Sequence, residues 1–515
     1  MKKLLAALIL AIPVSSWSLT LSVYHTSDVH GWYFSRPAKW DKANSTRTIG
    51  GFPALAALLK TEKNPYLLLD SGDTFQGTPE GTLTKGLATA KLMNQLGYAA
   101  AAVGNHDYDY SEANLRSVTQ KSAFPWLGAN VYVKETGQHT DYLKPYTIVE
   151  KAGKRIAVIG IAGRHTTTST LPLNVKHLEF RNESTEAAYW ADEVRKKEKP
   201  DAIIMLVHLG FGADIYGKVD ISTLTFPADK TLLGTLPVAR AARPEVLFGG
   251  HNHVGLEKGY HDPESGTLLM ESYFGLTSVS RVDLDFDDKT GKFKSATAQL
   301  IPLWTDVTGE DQAVIKTLKV FSAQVDKEMS AVIGESAVDL GPSPAGLDSG
   351  IGNWFADAMR RQSGADVAFQ NTAGIRSDLK KGEIRIRDIF QVMPFENTLV
   401  KLTMTGEQLK RLMSDNIKGG FSKLQISGLK VYFRKGENGA QDISLVRNGA
   451  ELKPEEKLSV ATNNYLTTGG TGGAAFGEAE QSEDTMQPIR DLLIKDAKEH
   501  PIKEAPESGR LVLLD

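Results

Sequence analysis

The chain has 515 residues, too long for a single hydrophobic core and suited to two or three domains. With 41% apolar and 23% charged residues it reads as a soluble globular protein, and a formal charge of -3 without a basic, aromatic-laced stripe excludes a nucleic-acid polymer as the expected partner. The absence of cysteine excludes disulfides, thiolate metal ligands and a cysteine nucleophile.

Met1-Lys2-Lys3 is followed by an apolar run over 4–14 that is too short to span a bilayer, and then by the small residues Ser16 and Ser18. This order predicts a signal peptide over 1–18, a periplasmic or secreted destination, and no membrane anchor after cleavage. Residues 19–26 alternate and predict a strand that breaks at Ser27-Asp28-Val29-His30-Gly31. Asp28 and His30 are two apart, so on continued strand geometry they leave on one face.

A second strand, over 66–69, ends in Asp70-Ser71-Gly72-Asp73, and a helix predicted over 83–96 leads to the apolar run 98–103. That run stops at Gly104-Asn105-His106-Asp107-Tyr108-Asp109. Releasing an amide, an imidazole and two carboxylates into one tight turn is a poor way to end a buried strand unless something polar is held there. In sheets covered by helices, ligands bind at the C-terminal rim of the strands. Further strands are predicted at 155–161, 202–207 and 246–248, with a helix at 184–197. The last two strands end in His208-Leu209-Gly210 and Gly249-Gly250-His251-Asn252-His253.

A strand over 278–286 precedes a helix predicted over 311–333, in which Val314, Leu318, Phe321, Val325, Met329 and Val332 recur every three or four residues. This helix is the expected linker to a C-terminal part. There, helices are predicted at 351–362 and 406–413, and strands at 366–370, 429–433 and 457–462. The Gly-rich loop 467–473 lacks the lysine and spacing of a nucleotide-phosphate loop and reads as a turn.

Asp28, His30, Asp73, Asn105, His208, His251 and His253 thus fall at or just after predicted strand ends. One ion takes about four to six donors, so this set suggests two ions sharing a bridging carboxylate. Two divalent ions about 3.5 to 4 Å apart are the recurrent clamp for hydrolysing a phosphate ester. Zinc, manganese and cobalt all suit such donors. The other six histidines, His25, His139, His165, His177, His261 and His500, read as structural.

In this order, Asp-x-His, Gly-Asn-His-Asp and Gly-His-x-His resemble the calcineurin-like metallophosphoesterase superfamily. With Arg376 in Asn-x-x-x-Ile-Arg, a Pro-Phe-x-Asn motif and a Gly-Gly-x-Gly loop, the mature chain resembles the 5'-nucleotidase family, including bacterial periplasmic members that act as UDP-sugar hydrolases and 5'-nucleotidases. The resemblance implies an α/β fold: a four-layer metallophosphatase sandwich over 19–308, a linker helix over 309–334, and a C-terminal α/β nucleotide-binding domain over 335–515. It makes Asp28, His30, Asp73 and His253 ligands of one ion, and Asp73, Asn105, His208 and His251 ligands of the other.

The resemblance also gives His106 a catalytic role with Asp109 as its carboxylate partner, an arrangement that orients an imidazole and raises its proton affinity. It assigns Asn371, Arg376 and Asn397 to substrate contacts and Phe395 to stacking on the base, with Phe476 taking the place of a second family aromatic. Two departures stand out: no arginine occurs in 342–348, and Gly-Gly-Thr-Gly is not followed directly by an aromatic. The expected reaction is metal-dependent hydrolysis of nucleoside 5'-monophosphates, and of UDP-sugars as further substrates. The alternatives are a 2',3'-cyclic nucleotide phosphodiesterase on the same scaffold, or an exported nucleotide-binding protein with an idle site.

Overall fold

The computed structural model describes residues 19–38, 40–170, 172–211, 218–219, 234–341, 346–393, 395, 397–418, 420–436, 439–468 and 472–514. The expected signal peptide, residues 342–345, Pro394 and Glu396 of the Pro-Phe-x-Asn motif, and 469–471 of the Gly-rich loop lie outside them. The chain divides into two compact units, Met1–Phe321 and Ser322–Asp515.

The first unit is built on two six-stranded sheets. One runs, in spatial order, Phe293–Pro302, Ser278–Phe286, Leu19–Thr26, Tyr66–Asp70, Ala100–Ala102 and Trp126–Leu127. The other runs Tyr260–His261, Leu268–Met270, Val246–Phe248, Ala202–Val207, Lys154–Ile161 and Tyr146–Lys151. A two-residue side-chain period sorts the first sheet. Leu21, Val23, Leu67, Leu69, Ala100 and Ala102 enter a core shared with the second sheet. Tyr24, Leu68, Ala101 and Val103 face the helices Gly51–Leu59, Leu87–Leu96 and Glu112–Lys121. Ala187, Ala191 and Val194 of Glu183–Lys197, with Val238 and Ala239 of Thr235–Ala242, pack on the second sheet. Helix, sheet, sheet, helix is the expected four-layer α/β sandwich.

Parallel pairing sets up the site. Thr26 lies opposite Asp70, Asp70 opposite Ala101, Ile161 opposite Val207, and Leu206 opposite Phe248, so each sheet presents its strand ends in register. The second unit holds a five-stranded sheet in the order Leu424–Ser427, Val367–Asn371, Lys457–Asn463, Thr398–Thr405 and Gln481–Pro488. Gly350–Ser363 and Ile489–Glu499 pack on one face through Phe355 and Leu493, and Gly406–Asn416 on the other through Leu409 and Leu412.

Two predicted helices are corrected. The helix expected at 83–96 is two, Pro79–Thr84 and Leu87–Leu96, because Lys85 and Gly86 turn left-handed at φ 49° and 86°. The helix expected over 311–333 spans Gln312–Met329. Val332 instead begins the strand Val332–Ser336, which pairs antiparallel with Gly382–Arg385. The apolar spacing continues into Val332, yet that side chain is half exposed.

Candidate metal centre

The first two rim loops are fastened together by backbone hydrogen bonds from Asp28 N to the Gly72 carbonyl, 2.9 Å, and from His30 N to the Asp73 carbonyl, 3.0 Å. Five rim residues take left-handed conformations: Asp28, His30, Asp73, His251 and His253, at φ 51°, 48°, 58°, 71° and 56°. Each such posture costs about 1–2 kcal/mol in a residue with a Cβ, and such postures cluster where side chains must be aimed at a ligand. Gly104 permits a close approach: a Cβ there would stand 2.2 Å from Asp73 Oδ1.

The donors converge in adjoining groups. Atoms bound to one ion at about 2.1 Å stand about 3.0 Å apart at right angles and about 3.4 Å apart in a tetrahedron. His30 Nε2 lies 3.1 Å from His253 Nε2, and Asp28 Oδ1 lies 3.6 Å from the latter. His208 Nε2 lies 3.1 Å from both Asp73 Oδ2 and Asn105 Oδ1. Asp73 Oδ2 is also 3.8 Å from His30 Nε2, so one carboxylate reaches both groups. The His251 ring stands 5.3 Å from that of His208, and the His251 backbone N–H donates to the Asp28 carboxylate at 3.0 Å.

The imidazoles are prepared as donors. His30 Nδ1 donates to the Gln76 carbonyl and His208 Nδ1 to the Ser71 carbonyl, each at 2.8 Å; a carbonyl only accepts, so the two Nε2 atoms keep their lone pairs. Burial pushes His30 and His253 down to about 4, and it holds His251 well below the usual imidazole range with help from neighbouring His165 and His208. His208 is the exception: burial opposes its protonation, but the Asp73 carboxylate overrides this and lifts it to about 9. A cation and a proton therefore compete for its Nε2. Imidazoles, two carboxylates and an amide oxygen around adjoining centres fit a pair of divalent cations, in groups such as Asp28–His30–His253 and Asp28–Asp73–His208.

His106 stands beside these groups, its ring 5.5 Å from that of His30. Its backbone N–H donates to Asp73 Oδ1 at 2.8 Å, and its Nδ1 meets Asp109 Oδ2 at 2.7 Å. Asp109 is held in turn by the Thr170 hydroxyl at 2.8 Å.

Two residues here escaped the sequence reading. Asp107 is buried, and its carboxylate accepts from the backbone N–H groups of Asp73, Thr74 and Gly104 and from the Thr74 hydroxyl, so it locks two rim loops together. His165, read as structural, corrects that reading: its ring stacks on His251 at 3.8 Å, and its Nε2 is 3.3 Å from Asn105 Oδ1. The signal was available, because His165 also follows a strand, Lys154–Ile161, on the same pattern as the other donors. Three of the other structural readings fit their surroundings: His25 stacks on Phe248 within the fold, and His177 and His500 pair with Glu112 and Asp496.

In the second unit, exposed Arg376 donates to the Ala373 carbonyl at 3.1 Å, and its guanidinium stands 5.9 Å from the Phe395 ring. Phe395 is 42% exposed. Asn371 is buried, its Oδ1 accepting from Asn463 and Gln370. Asn397 is half-buried and its carbonyl accepts from Ile489 N. Phe476 does not keep its expected role. It is 2% exposed and packs edge-on against Phe369 in the apolar core, which leaves almost no ring surface open to a base.

Residues 21–255 match the family model of the calcineurin-like phosphoesterases, and 332–478 match that of the 5'-nucleotidase C-terminal domain. The four-layer fold with its rim of histidines and carboxylates thus places the chain in the calcineurin-like phosphoesterase superfamily. Similarity extends over both units. A 5'-nucleotidase of Vibrio cholerae is 26% identical across 92% of this chain and 91% of its own length. The trifunctional nucleotide phosphoesterase YfkN of Bacillus subtilis is 26% identical over 96% of this chain. The crystal structure of a 5'-nucleotidase precursor from Thermus thermophilus superposes with a TM-score of 0.62, at 24% identity, over 96% of this chain and all of that one. Within the superfamily, the chain belongs to the 5'-nucleotidase family. It spans about a third of the length of two Bacillus subtilis relatives, 34% and 35%.

Proposed function

We propose that the protein is a divalent-cation-dependent phosphohydrolase that converts nucleoside 5'-monophosphates to nucleoside and phosphate, with nucleoside diphosphate sugars as further substrates. The observation that carries this reading is the Asp73 carboxylate, which lies within reach of both imidazole groups while His106 is anchored beside it. Asp28, His30, Asp73 and His253 would hold one cation, and Asp73, Asn105, His208 and His251 the other. Two such ions supply Lewis acidity, a water of lowered pKa and neutralisation of phosphate oxygens.

The chain's own residues do the rest. Asp109 fixes the His106 ring through Nδ1, which leaves the opposite edge of the imidazole to stabilise charge on the phosphoryl group or on the departing oxygen. Arg376 is suited to a phosphate or ribose oxygen, Asn371 and Asn397 to polar contacts, and the exposed face of Phe395 to a base. Stacking discriminates little among bases, so broad nucleotide specificity is expected. Residues 1–18 carry the features of an export signal, which would place the mature protein in the periplasm or outside the cell.

The match to a protein described as a trifunctional nucleotide phosphoesterase favours more than one class of nucleotide ester as substrate, and 2',3'-cyclic nucleotides are the alternative to test, because the same pair of cations serves several leaving groups. Phosphate release from AMP, UDP-glucose, 2',3'-cyclic AMP and an aryl phosphate, after chelation and re-addition of zinc, manganese or cobalt, tests the reading. Fast metal-restored release from AMP supports it, and AMP binding without release under any metal overturns it.

A further inference from the structure

The strand Lys154–Ile161 pairs in parallel with Ala202–Val207, so the segment after Ile161 leaves on the same rim as His208. Gly163 lets that segment fold back: a Cβ there would lie 2.1 Å from His165 Cε1 and 2.9 Å from the His208 carbonyl oxygen. The His165 ring comes to rest on His251, 3.8 Å between centroids at 30°. Asn105 Oδ1 then faces two imidazole nitrogens, His208 Nε2 at 3.1 Å and His165 Nε2 at 3.3 Å. Both separations fall between the right-angle and tetrahedral edges of about 3.0 and 3.4 Å expected for atoms that share one ion. His165, His208 and His251 each offer a nitrogen, all within 4.8 Å of one another.

We propose that His165 supplies a further imidazole donor to the cation placed at Asp73, Asn105, His208 and His251. This rests on reading the rim as a dimetal centre and goes beyond the donor set derived for it above. The consequence is an asymmetric pair: one position with two imidazoles and two carboxylates, the other with three imidazoles, an amide oxygen and a shared carboxylate. Nitrogen-rich coordination favours zinc, cobalt or nickel over magnesium and manganese, so the two positions differ in the metal they retain.

The test is cobalt titration of the chelated full-length protein, read by calorimetry, visible absorption and paramagnetically shifted proton resonances. For wild type, two equivalents bind. For His165→Gln, one equivalent weakens about 10- to 100-fold or more, its absorption bands change, and one shifted exchangeable ring N–H resonance disappears, while the other equivalent is untouched. In His165→Ala, added imidazole restores the lost bands. A variant with unaltered bands and the full set of shifted resonances overturns the proposal even if affinity falls, because that is the signature of a residue that only positions Asn105 or His251. A wild-type protein that takes up no cobalt overturns the dimetal reading itself, a result distinct from failure of the His165 assignment.

Discussion

The rim of the first unit and the Arg376–Phe395 pair of the second unit differ in how firmly they are held. At the rim, Asp28, Asp73, Asn105 and His208 are almost wholly buried, and each is tied by hydrogen bonds to backbone or neighbouring side chains. In the second unit, Arg376 and Phe395 are exposed, with few partners to fix them. Groups proposed to meet charge in one geometry are over-determined by their surroundings; groups proposed to meet a variable base are left adaptable. Substitutions at the rim should therefore act on turnover and metal content, and those at Phe395 on substrate affinity.

The largest effect is expected from Asp73→Asn, which weakens the carboxylate proposed to bridge the two cations. Metal content by elemental analysis should drop and AMP hydrolysis should fall by more than about a thousandfold; full metal occupancy would break the bridge assignment. His106→Ala should keep its metal yet lose about 10²- to 10⁴-fold in kcat, and unchanged turnover would remove the residue from the reaction.

Phenylalanines at 476 and 395 offer the sharpest contrast within one residue type. Phe476→Ala should cost about 3–5 kcal/mol in urea unfolding, as for any large ring removed from a core. A loss of nucleotide affinity at full stability would instead restore its stacking role. Asp107→Asn should cost about 1–3 kcal/mol for each backbone N–H left without its acceptor, with accompanying loss of metal affinity. Phe395→Ala should leave stability unchanged and raise KM for AMP by an amount equivalent to about 1–3 kcal/mol, while the rate on an aryl phosphate stays the same.

Much of the rim could be read from the sequence because each donor follows an alternating or apolar run that can only be a buried strand, and parallel sheets bring such ends together. His165 follows the same rule but was missed, since it stands in none of the quoted motifs and the turn at Gly163 brings it back to the rim. Asp107 lay within the quoted motif, yet its inward aim toward three backbone N–H groups depends on the turn that His106–Tyr108 makes. The fate of Phe476 was hidden for a related reason: sequence gives an aromatic its position along the chain, while neighbours such as Phe369 decide which way the ring faces. Val332 shows the limit of periodicity, because a strand partner, Arg385, claimed a residue whose spacing suited a helix.

The left-handed postures of Asp28, His30, Asp73, His251 and His253 bear on how a cation arrives. Side chains bent inward by the fold itself need no incoming ion to shape them. Donors aimed in advance would lower the ordering cost that binding a cation carries.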